Sequence, residues 1–192
     1  MKKEHLARIF SHMPQLETPR LILRRLRSSD DRDMYDYAKR TDVTRYLLWS
    51  PHPDLSYTRD YLHYLSTRYA AGNFYDWGIV CKQSGRMIGT CGFTNIDAQH
   101  DAAEIGYVLH PDYWGQGLAA EAARAVLSFG FDRLLLHRIE ARFIEGNTAS
   151  LRVMEKVGMT FEGYRREAMM VKGKYRTIGC CSILCTEYAK KE

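Results

Sequence analysis

The chain has 192 residues, enough for one domain or two small ones. Its hydrophobic share of 45% and charged share of 27% are typical of a globular protein and exclude a disordered or fibrous chain. The net charge of +5 is too small to indicate nucleic-acid binding, although it suits an anionic ligand. No apolar run is long enough for a membrane span, and no apolar stretch follows the basic start as in a signal peptide.

The five cysteines indicate free thiols rather than a cross-linked or metal-binding framework. Their number is odd, and Cys180 and Cys181 are adjacent, which would place them on opposite faces of a strand. This pattern argues against paired disulfides and against a four-ligand zinc site. It predicts a protein of the reducing cytoplasm with no bound metal.

The first half of the chain predicts a strand, two helices and an antiparallel meander. Residues 1–15 show no clear pattern and are expected to form a poorly specified N-terminal arm. Ser28-Ser29-Asp30 offers a helix cap, and the turn Gln83-Ser84-Gly85 is typical of a hairpin. We predict strands at Leu21–Leu26, Tyr75–Cys81, Met87–Thr94 and Ala103–Leu109, and helices after Asp30 and around Tyr57–Tyr69.

The second half predicts alternating helices and strands. We expect helices from Gly117 to about Asp132 and at Thr148–Val157, and strands at Arg138–Phe143, Met159–Tyr164 and Arg176–Glu187. Gly158 is placed to end the second of these helices. Because no linker or internal repeat occurs, residues 16–192 are predicted to form a single mixed α/β domain.

Residues 104–119 carry the most informative pattern, in which a strand leads through a glycine-bearing turn into a long helix. Gly115 and Gly117 would let a ligand approach the backbone closely. The amides of residues 116–120 would be the unpaired donors of the helix N-terminus, where the helix dipole favours phosphate groups. The turn is neither a P-loop nor a G-x-G-x-x-G motif, since Ala120 stands at the third glycine position.

This segment resembles the pyrophosphate loop (R/Q-x-x-G-x-G/A) of the GCN5-related N-acetyltransferases (GNAT), with Gly117 and Ala119 at its last two fixed positions. Trp114 replaces the Arg or Gln, as in the RimJ/RimL-type branch that acetylates ribosomal-protein N-termini. Three further stretches of residues 16–188 resemble that branch: Thr18–Arg24, Ala103–Tyr107, and Asn147-Thr148-Ala149-Ser150 with Lys156-Val157-Gly158-Met159.

The resemblance implies a splayed central sheet flanked by helices, with acetyl-CoA between the strands that contain Leu109 and Arg138. Backbone groups of Tyr107, Val108 and Leu109 would pair with the pantetheine arm, and an amide there would hold the thioester oxygen. The pyrophosphate would bind at the loop residues, namely Trp114, Gly115, Gln116, Gly117, Leu118, Ala119 and Ala120. Asn147 would hydrogen-bond the cofactor, or else serve only as a helix cap.

The resemblance also implies catalytic roles. Ser150 would protonate the departing thiolate, because the position that holds a Tyr in many relatives is Met154 here. Glu104, or a water relayed to a carboxylate, would be the general base. The late Glu that serves as base in the ribosomal branch is matched by Met169, and nearby Glu167 would face the other way.

The acceptor is predicted to be a primary amine, and an α-amine of a protein N-terminus best suits a weak base. Neutralising an α-amine of pKa near 8 at pH 7 costs about 1.4 kcal/mol, against about 4.6 kcal/mol for a lysine amine. A ribosomal protein as acceptor and a homodimer as assembly stay open.

Two alternatives remain. The first is a small-molecule amine acceptor, such as a polyamine, in an acidic groove of Glu104, Asp97, Asp101 and Glu145. The second is a non-catalytic acyl-CoA-binding module. The aromatic residues of the two early helices would form either helix packing or the acceptor wall; they are Tyr46, Trp49, Tyr57, Tyr61, Tyr64 and Tyr69.

Overall fold

The computed structural model describes residues 3–188, which form an eight-stranded sheet flanked by helices. The strands are β1 (Leu16–Glu17), β2 (Leu21–Arg24), β3 (Tyr75–Cys81), β4 (Met87–Asp97), β5 (Ala102–Leu109), β6 (Arg138–Ile144), β7 (Thr160–Val171) and β8 (Lys174–Leu184). The helices are α1 (Lys3–Ser11), α2 (Asp31–Ala38), α3 (Thr41–Thr44), α4 (Leu55–Ala70), α5 (Leu118–Ser128), α6 (Thr148–Lys156) and α7 (Cys185–Tyr188). The predicted mixed α/β fold is confirmed.

The sheet has the strand order β1-β2-β3-β4-β5-β6-β8-β7. Neighbouring strands are antiparallel except for the central pair, β5 and β6, which is parallel. The predicted meander is therefore present, and the connection through α5 places β6 beside β5.

The central pair separates partway along its length. Parallel pairing begins at Ala102 and Arg138 and ends at Ile105 and Ala141. β5 continues to Leu109 and β6 to Ile144, so the last residues of each strand diverge without pairing to one another. This divergence is the predicted splay, and it leaves a strip of β5 backbone open on its β6 side.

The two faces of the sheet pack against different helices. Trp77, Ile105 and α5 residues such as Val126 form the larger core on one face. Val80 and Val108 contact the second core, which includes Tyr37 of α2 and Leu62 of α4. Successive strand residues therefore serve opposite faces, as the two-residue period of a strand requires.

The termini differ from the sequence predictions. The segment expected to be a poorly specified arm contains helix α1, whose Leu6 and Phe10 are buried in the larger core. The predicted last strand ends at Leu184, because Cys185–Tyr188 turn into helix α7. α3 was not predicted, and β7 runs on to Val171 rather than ending at Tyr164.

Candidate functional site

A cavity of about 280 Å³ lies where β5 and β6 diverge. Its walls come from β3 to β6, from the segment before α4, from α6 and from the β7–β8 hairpin. The lining residues are Tyr46, Leu47, Leu48, Trp49, Asp76, Thr90, Thr94, Glu104, Ile105, Gly106, Tyr107, Val108, Arg142, Phe143, Ile144, Asn147, Ser150, Met154, Met169 and Ile178. Both faces of the sheet contribute, since Val108 belongs to the α2–α4 side and Tyr107 to the α5 side. Five of the predicted site residues meet here: Glu104, Tyr107, Val108, Asn147 and Ser150.

A hydroxyl pair occupies the α5 side of this cavity. The phenol oxygen of Tyr107 lies 2.9 Å from Oγ of Ser150 and donates to the Ser150 carbonyl oxygen, also at 2.9 Å. Burial raises the pKa of Tyr107 well above its ordinary value, so the phenol stays protonated and can donate. Sequence reasoning assigned Tyr107 only through its backbone and missed this role of its side chain.

Asn147 is the N-cap of α6. Its Oδ1 accepts a hydrogen bond from the Ser150 amide at 3.2 Å, which satisfies a free donor of the first helical turn. The capping alternative is therefore present in the structure. The bond uses only the oxygen of the carboxamide, whose nitrogen can still donate to a ligand in the cavity.

Glu104 is held by Arg142 on the opposite side of the sheet from Ser150. The Arg142 guanidinium donates to Oε2 of Glu104 in a short ion pair, and the Glu104 side chain is 15% exposed. This hydrogen bond raises the pKa of Arg142 further above its ordinary value. The ion pair thus gives Glu104 a cationic partner within the cavity wall.

Asp76 on β3 is a second carboxylate in the cavity wall, and sequence reasoning missed it. Its Oδ1 is buried, and no hydrogen bond reaches that atom within residues 3–188. Burial raises the pKa of Asp76 to about 7, although the Thr90 hydroxyl and the Trp77 amide favour the charged form. A shifted carboxyl group beside a cavity is a marker of functional sites.

The remaining predicted cofactor residues form the turn before α5. Gly115 and Gly117 adopt left-handed φ angles of 75° and 77°, which favour glycine, and Gly117 is the N-cap of the helix. Arg20 lies beside this turn and donates to the Gln116 carbonyl oxygen at 2.9 Å. An ion pair with Glu121 holds the Arg20 side chain in place. The helix N-terminus thus has an adjacent cation that sequence reasoning did not assign.

Trp114 connects this turn to the end of β5. Its indole N–H donates to the Leu109 carbonyl oxygen at 2.7 Å, while the ring is 49% exposed. The Leu109 carbonyl therefore already has a partner, and the open backbone strip is centred on Tyr107 and Val108. Leu109 and the turn residues lie outside the lining of the cavity.

The other expected residues divide between the cavity and the surface. Met154 and Met169, which the resemblance matches to a Tyr and a Glu, line the cavity, whereas Glu167 is exposed. Of the four acids of the predicted acidic groove, only Glu104 lies in the wall. Tyr46 and Trp49 line the cavity, but Tyr69 is fully buried in the α2–α4 core.

Residues 3–188 contain no group of three or more His, Cys, Asp or Glu side chains arranged to hold a metal ion. The helices of this described part are too short or too polar to cross a bilayer. All five cysteines are free thiols.

Comparisons with known proteins agree with this architecture. The family model of the acetyltransferase (GNAT) domain matches residues 20–160. An uncharacterized N-acetyltransferase, p20, from Bacillus licheniformis is 34% identical over 177 residues, covering 92% of this chain and 99% of that protein.

Two solved structures share the fold. RimL, a ribosomal L7/L12 α-N-protein acetyltransferase in complex with coenzyme A, has a TM-score of 0.77 at 22% identity, covering 89% of this chain and 98% of that one. Spermidine N-acetyltransferase from Vibrio cholerae, in complex with CoA and spermine, has a TM-score of 0.76 at 23% identity, covering 90% of this chain and 99% of that one. The chain described here therefore belongs to the GNAT family of N-acetyltransferases.

Proposed function

We propose that this enzyme transfers the acetyl group of acetyl-CoA to the α-amine of a protein N-terminus. The charge of the cavity wall supports this proposal most strongly. Within that wall Arg142 compensates Glu104, which leaves Asp76 as the one carboxylate without a cationic partner. A single negative group matches the single ammonium of a peptide N-terminus.

The mouth of the cavity supports a peptide acceptor as well. Leu48 is 62% exposed and Trp49 is 36% exposed, and both belong to the wall. Exposed apolar and aromatic side chains beside a cavity are typical of a surface that binds another polypeptide. A ribosomal protein is one acceptor of this kind.

The residues near the splay fit acetyl-CoA. The unpaired strip at Tyr107 and Val108 can accept the pantetheine arm as an added strand, and the carboxamide nitrogen of Asn147 can donate to it. The free amides at the start of α5, with Arg20 beside them, suit a pyrophosphate. Acetyl-CoA supplies an acetyl group activated as a thioester.

The chain's own groups then supply the rest of the chemistry. A backbone amide near Val108 holds the oxygen on which negative charge develops. Ser150, hydrogen-bonded to Tyr107, gives its hydroxyl proton to the thiolate sulfur. The amine must also lose a proton before it attacks.

The small-molecule alternative is less well supported. A polyamine carries several cations, whereas Asp97, Asp101 and Glu145 of the predicted acidic groove are absent from the cavity wall. The non-catalytic alternative is disfavoured, because the hydrogen-bonded hydroxyls of Tyr107 and Ser150 and two carboxylates meet in one cavity. The free thiols suit the cytoplasm, where we place the enzyme.

An acceptor panel tests the proposal. The purified enzyme is incubated with acetyl-CoA and peptides with free N-termini, the same peptides with blocked N-termini and an internal lysine, spermidine, and an amino acid amide. We expect kcat/KM for the free N-termini to exceed that for every other amine by at least about tenfold. Acetylation of spermidine or lysine with free N-termini untouched would contradict it. A mass-spectrometric comparison of N-termini in cells with and without the protein identifies the natural acceptor.

A further inference from the structure

We propose that Asp76 binds the ammonium group of the acceptor amine and takes its proton. This role deepens the proposed function and rests on it. Asp76 lies on β3, two strands away from the splay, on the α2–α4 side of the sheet. Ser150 lies on the α5 side of the same cavity. The proton acceptor and the proton donor would thus stand on opposite faces of the sheet.

Two glycines lie between Asp76 and the splay. Asp76 is paired with Gly92 of β4, and Gly92 is paired with Gly106 of β5, so the three residues form one row across the sheet. With strands about 4.8 Å apart, the Cα atoms of Asp76 and Gly106 are separated by about 10 Å. The two row residues between Asp76 and the diverging edge carry no side chains of their own, and the Thr94 methyl group lies over Gly106.

The space at Gly92 is limited by Asp76 itself. A Cβ atom at Gly92 would lie 2.3 Å from the Asp76 Cα and 2.8 Å from its Oδ1. At Gly106 a Cβ would meet only the methyl group of Thr94, at 2.8 Å. Only the absence of a Cβ at Gly92 leaves room for the Asp76 carboxylate, and both Asp76 and Gly106 line the cavity.

The state of the Asp76 carboxyl group suits proton transfer. Its Oδ1 has a free acceptor position, since no donor within residues 3–188 reaches it. The raised pKa of about 7 makes Asp76 a far better proton acceptor at neutral pH than an ordinary carboxylate. Glu104, by contrast, has its charge satisfied by Arg142.

The step balances as follows. One N–H bond of the ammonium breaks as an O–H bond forms on Asp76. The neutral nitrogen then forms a bond to the acetyl carbon as the carbon–sulfur bond breaks. The thiolate sulfur takes the hydroxyl proton of Ser150. The nitrogen releases its second proton, which restores the Ser150 hydroxyl. Asp76 then gives the proton that it took from the ammonium to water.

The titration of Asp76 can be distinguished from that of the titratable groups around it. Those nearby on other elements are Tyr37 on α2, Arg68, Tyr61 and Tyr69 on α4, Cys91 and Thr90 on β4, Glu104 on β5 and Arg142 on β6. Burial raises the pKa values of these three phenols and of the Cys91 thiol, which keeps them neutral near pH 7. Burial lowers the pKa of His52, which contacts Tyr61, below its ordinary 6.5. Among these protein groups a step near pH 7 is thus expected from Asp76, whereas the acceptor α-amine, with a pKa near 8, titrates alike with every variant.

The test measures kcat against pH at saturating concentrations of acetyl-CoA and of the best acceptor from the panel. The wild type should gain activity as the pH rises through about 7. Asp76→Asn should lose at least about 100-fold in kcat and also lose that pH step, while its affinity for acetyl-CoA stays within threefold. Glu104→Gln should keep the step. Asp60→Asn, which changes an exposed carboxylate of α4, should match the wild type.

Three outcomes would count against the proposal. If Asp76→Asn keeps the pH step and stays within threefold of wild-type kcat, Asp76 is not the proton acceptor. If Glu104→Gln alone loses the step, the base is Glu104. If the wild type acetylates no amine at all, the proposed function fails and this inference fails with it. Melting temperatures of the variants show that each has folded.

Discussion

Ser150 and Tyr107 come from different elements and share a hydrogen bond inside the cavity. The serine lies in the first turn of α6, where its amide is fixed by Asn147. The phenol comes from β5 and holds the serine oxygen at 2.9 Å. Ser150 is thus fixed both at its backbone amide and at its hydroxyl oxygen, which holds the hydroxyl at one place in the cavity. Met154, one turn further along the helix, has no proton to donate.

Replacing Ser150 by Ala should lower kcat by about 10- to 100-fold, because the thiolate would leave without its proton donor. KM for acetyl-CoA should change little. Tyr107→Phe should have a smaller effect, since it removes only the partner that orients the hydroxyl. Steady-state rates across pH measure both. Thr148→Ala, an exposed hydroxyl on the same helix, is the matched control. Unchanged kcat and pH profile for Ser150→Ala would remove Ser150 from the mechanism.

At this scale the sequence predicts which residues reach the site better than it predicts their partners. Glu104 follows from its place on the central strand, but Arg142 pairs with it across the β5–β6 boundary. Asp76 could not be assigned to the site from the sequence, because its position beside the cavity depends on the register of β3, β4 and β5. The pairing that sets it opposite Gly92, and Gly92 opposite Gly106, is a property of the assembled sheet.

Strands β4 and β5 each contribute a glycine where a side chain would otherwise fill the sheet surface. Glycine weakens a strand interior, and its presence there often marks a close approach of another group. Here the two positions differ in what surrounds them. Gly92 is enclosed by backbone atoms of Tyr75 and Asp76, whereas Gly106 faces one movable methyl group.

Alanine at these two positions should therefore separate stability from activity. Gly92→Ala should lower the free energy of unfolding by about 2 kcal/mol or more, because backbone atoms 2.3 Å away must move. Gly106→Ala should cost less than Gly92→Ala, because only the Thr94 methyl group must move, but should reduce kcat/KM by about tenfold, since its methyl group would stand between Asp76 and the splay. Urea unfolding and steady-state kinetics measure the two effects. Equal stability of Gly92→Ala and the wild type would contradict the close contact.

The elements themselves were predictable where the apolar period was strong. The β3 strand and the helix α6 follow the sequence within a residue, since turn and cap residues mark their ends. α1 was missed because nine residues give a weak signal, and its stability comes from Phe10 against Tyr75 and Trp77. The end of β8 was missed because its change to α7 depends on contacts with Glu187 and His137.

For the molecule as a whole, the buried carboxylate of Asp76 makes stability depend on pH. Its pKa is raised from 3.8 to about 7 on folding, so the folded state binds this proton more tightly than the unfolded state. The cost of the buried charge is fully present above pH 7 and disappears as the pH falls below 4. The role proposed for the Asp76 carboxylate at neutral pH thus opposes stability.

Asp76→Asn should consequently be more stable than the wild type at pH 8, by on the order of 2–4 kcal/mol. The difference should shrink steadily as the pH falls and vanish near pH 4. Urea unfolding at several pH values measures it, with Asp60→Asn as the control for loss of a surface charge. A variant less stable than the wild type at pH 8 would show that the carboxylate is stabilised by contacts rather than penalised by burial.

Under the proposed function, the separation of β5 from β6 leaves the place of one strand to be filled by the cosubstrate. The ladder stops at Ile105 and Ala141, and the backbone beyond Ile105 would be completed only by the amides of the cosubstrate. A ligand that binds the folded state alone lowers the unfolded fraction about 100-fold at 100 times its dissociation constant. Bound acyl-CoA would thereby lower the equilibrium fraction of unfolded enzyme that is open to proteolysis, independently of turnover.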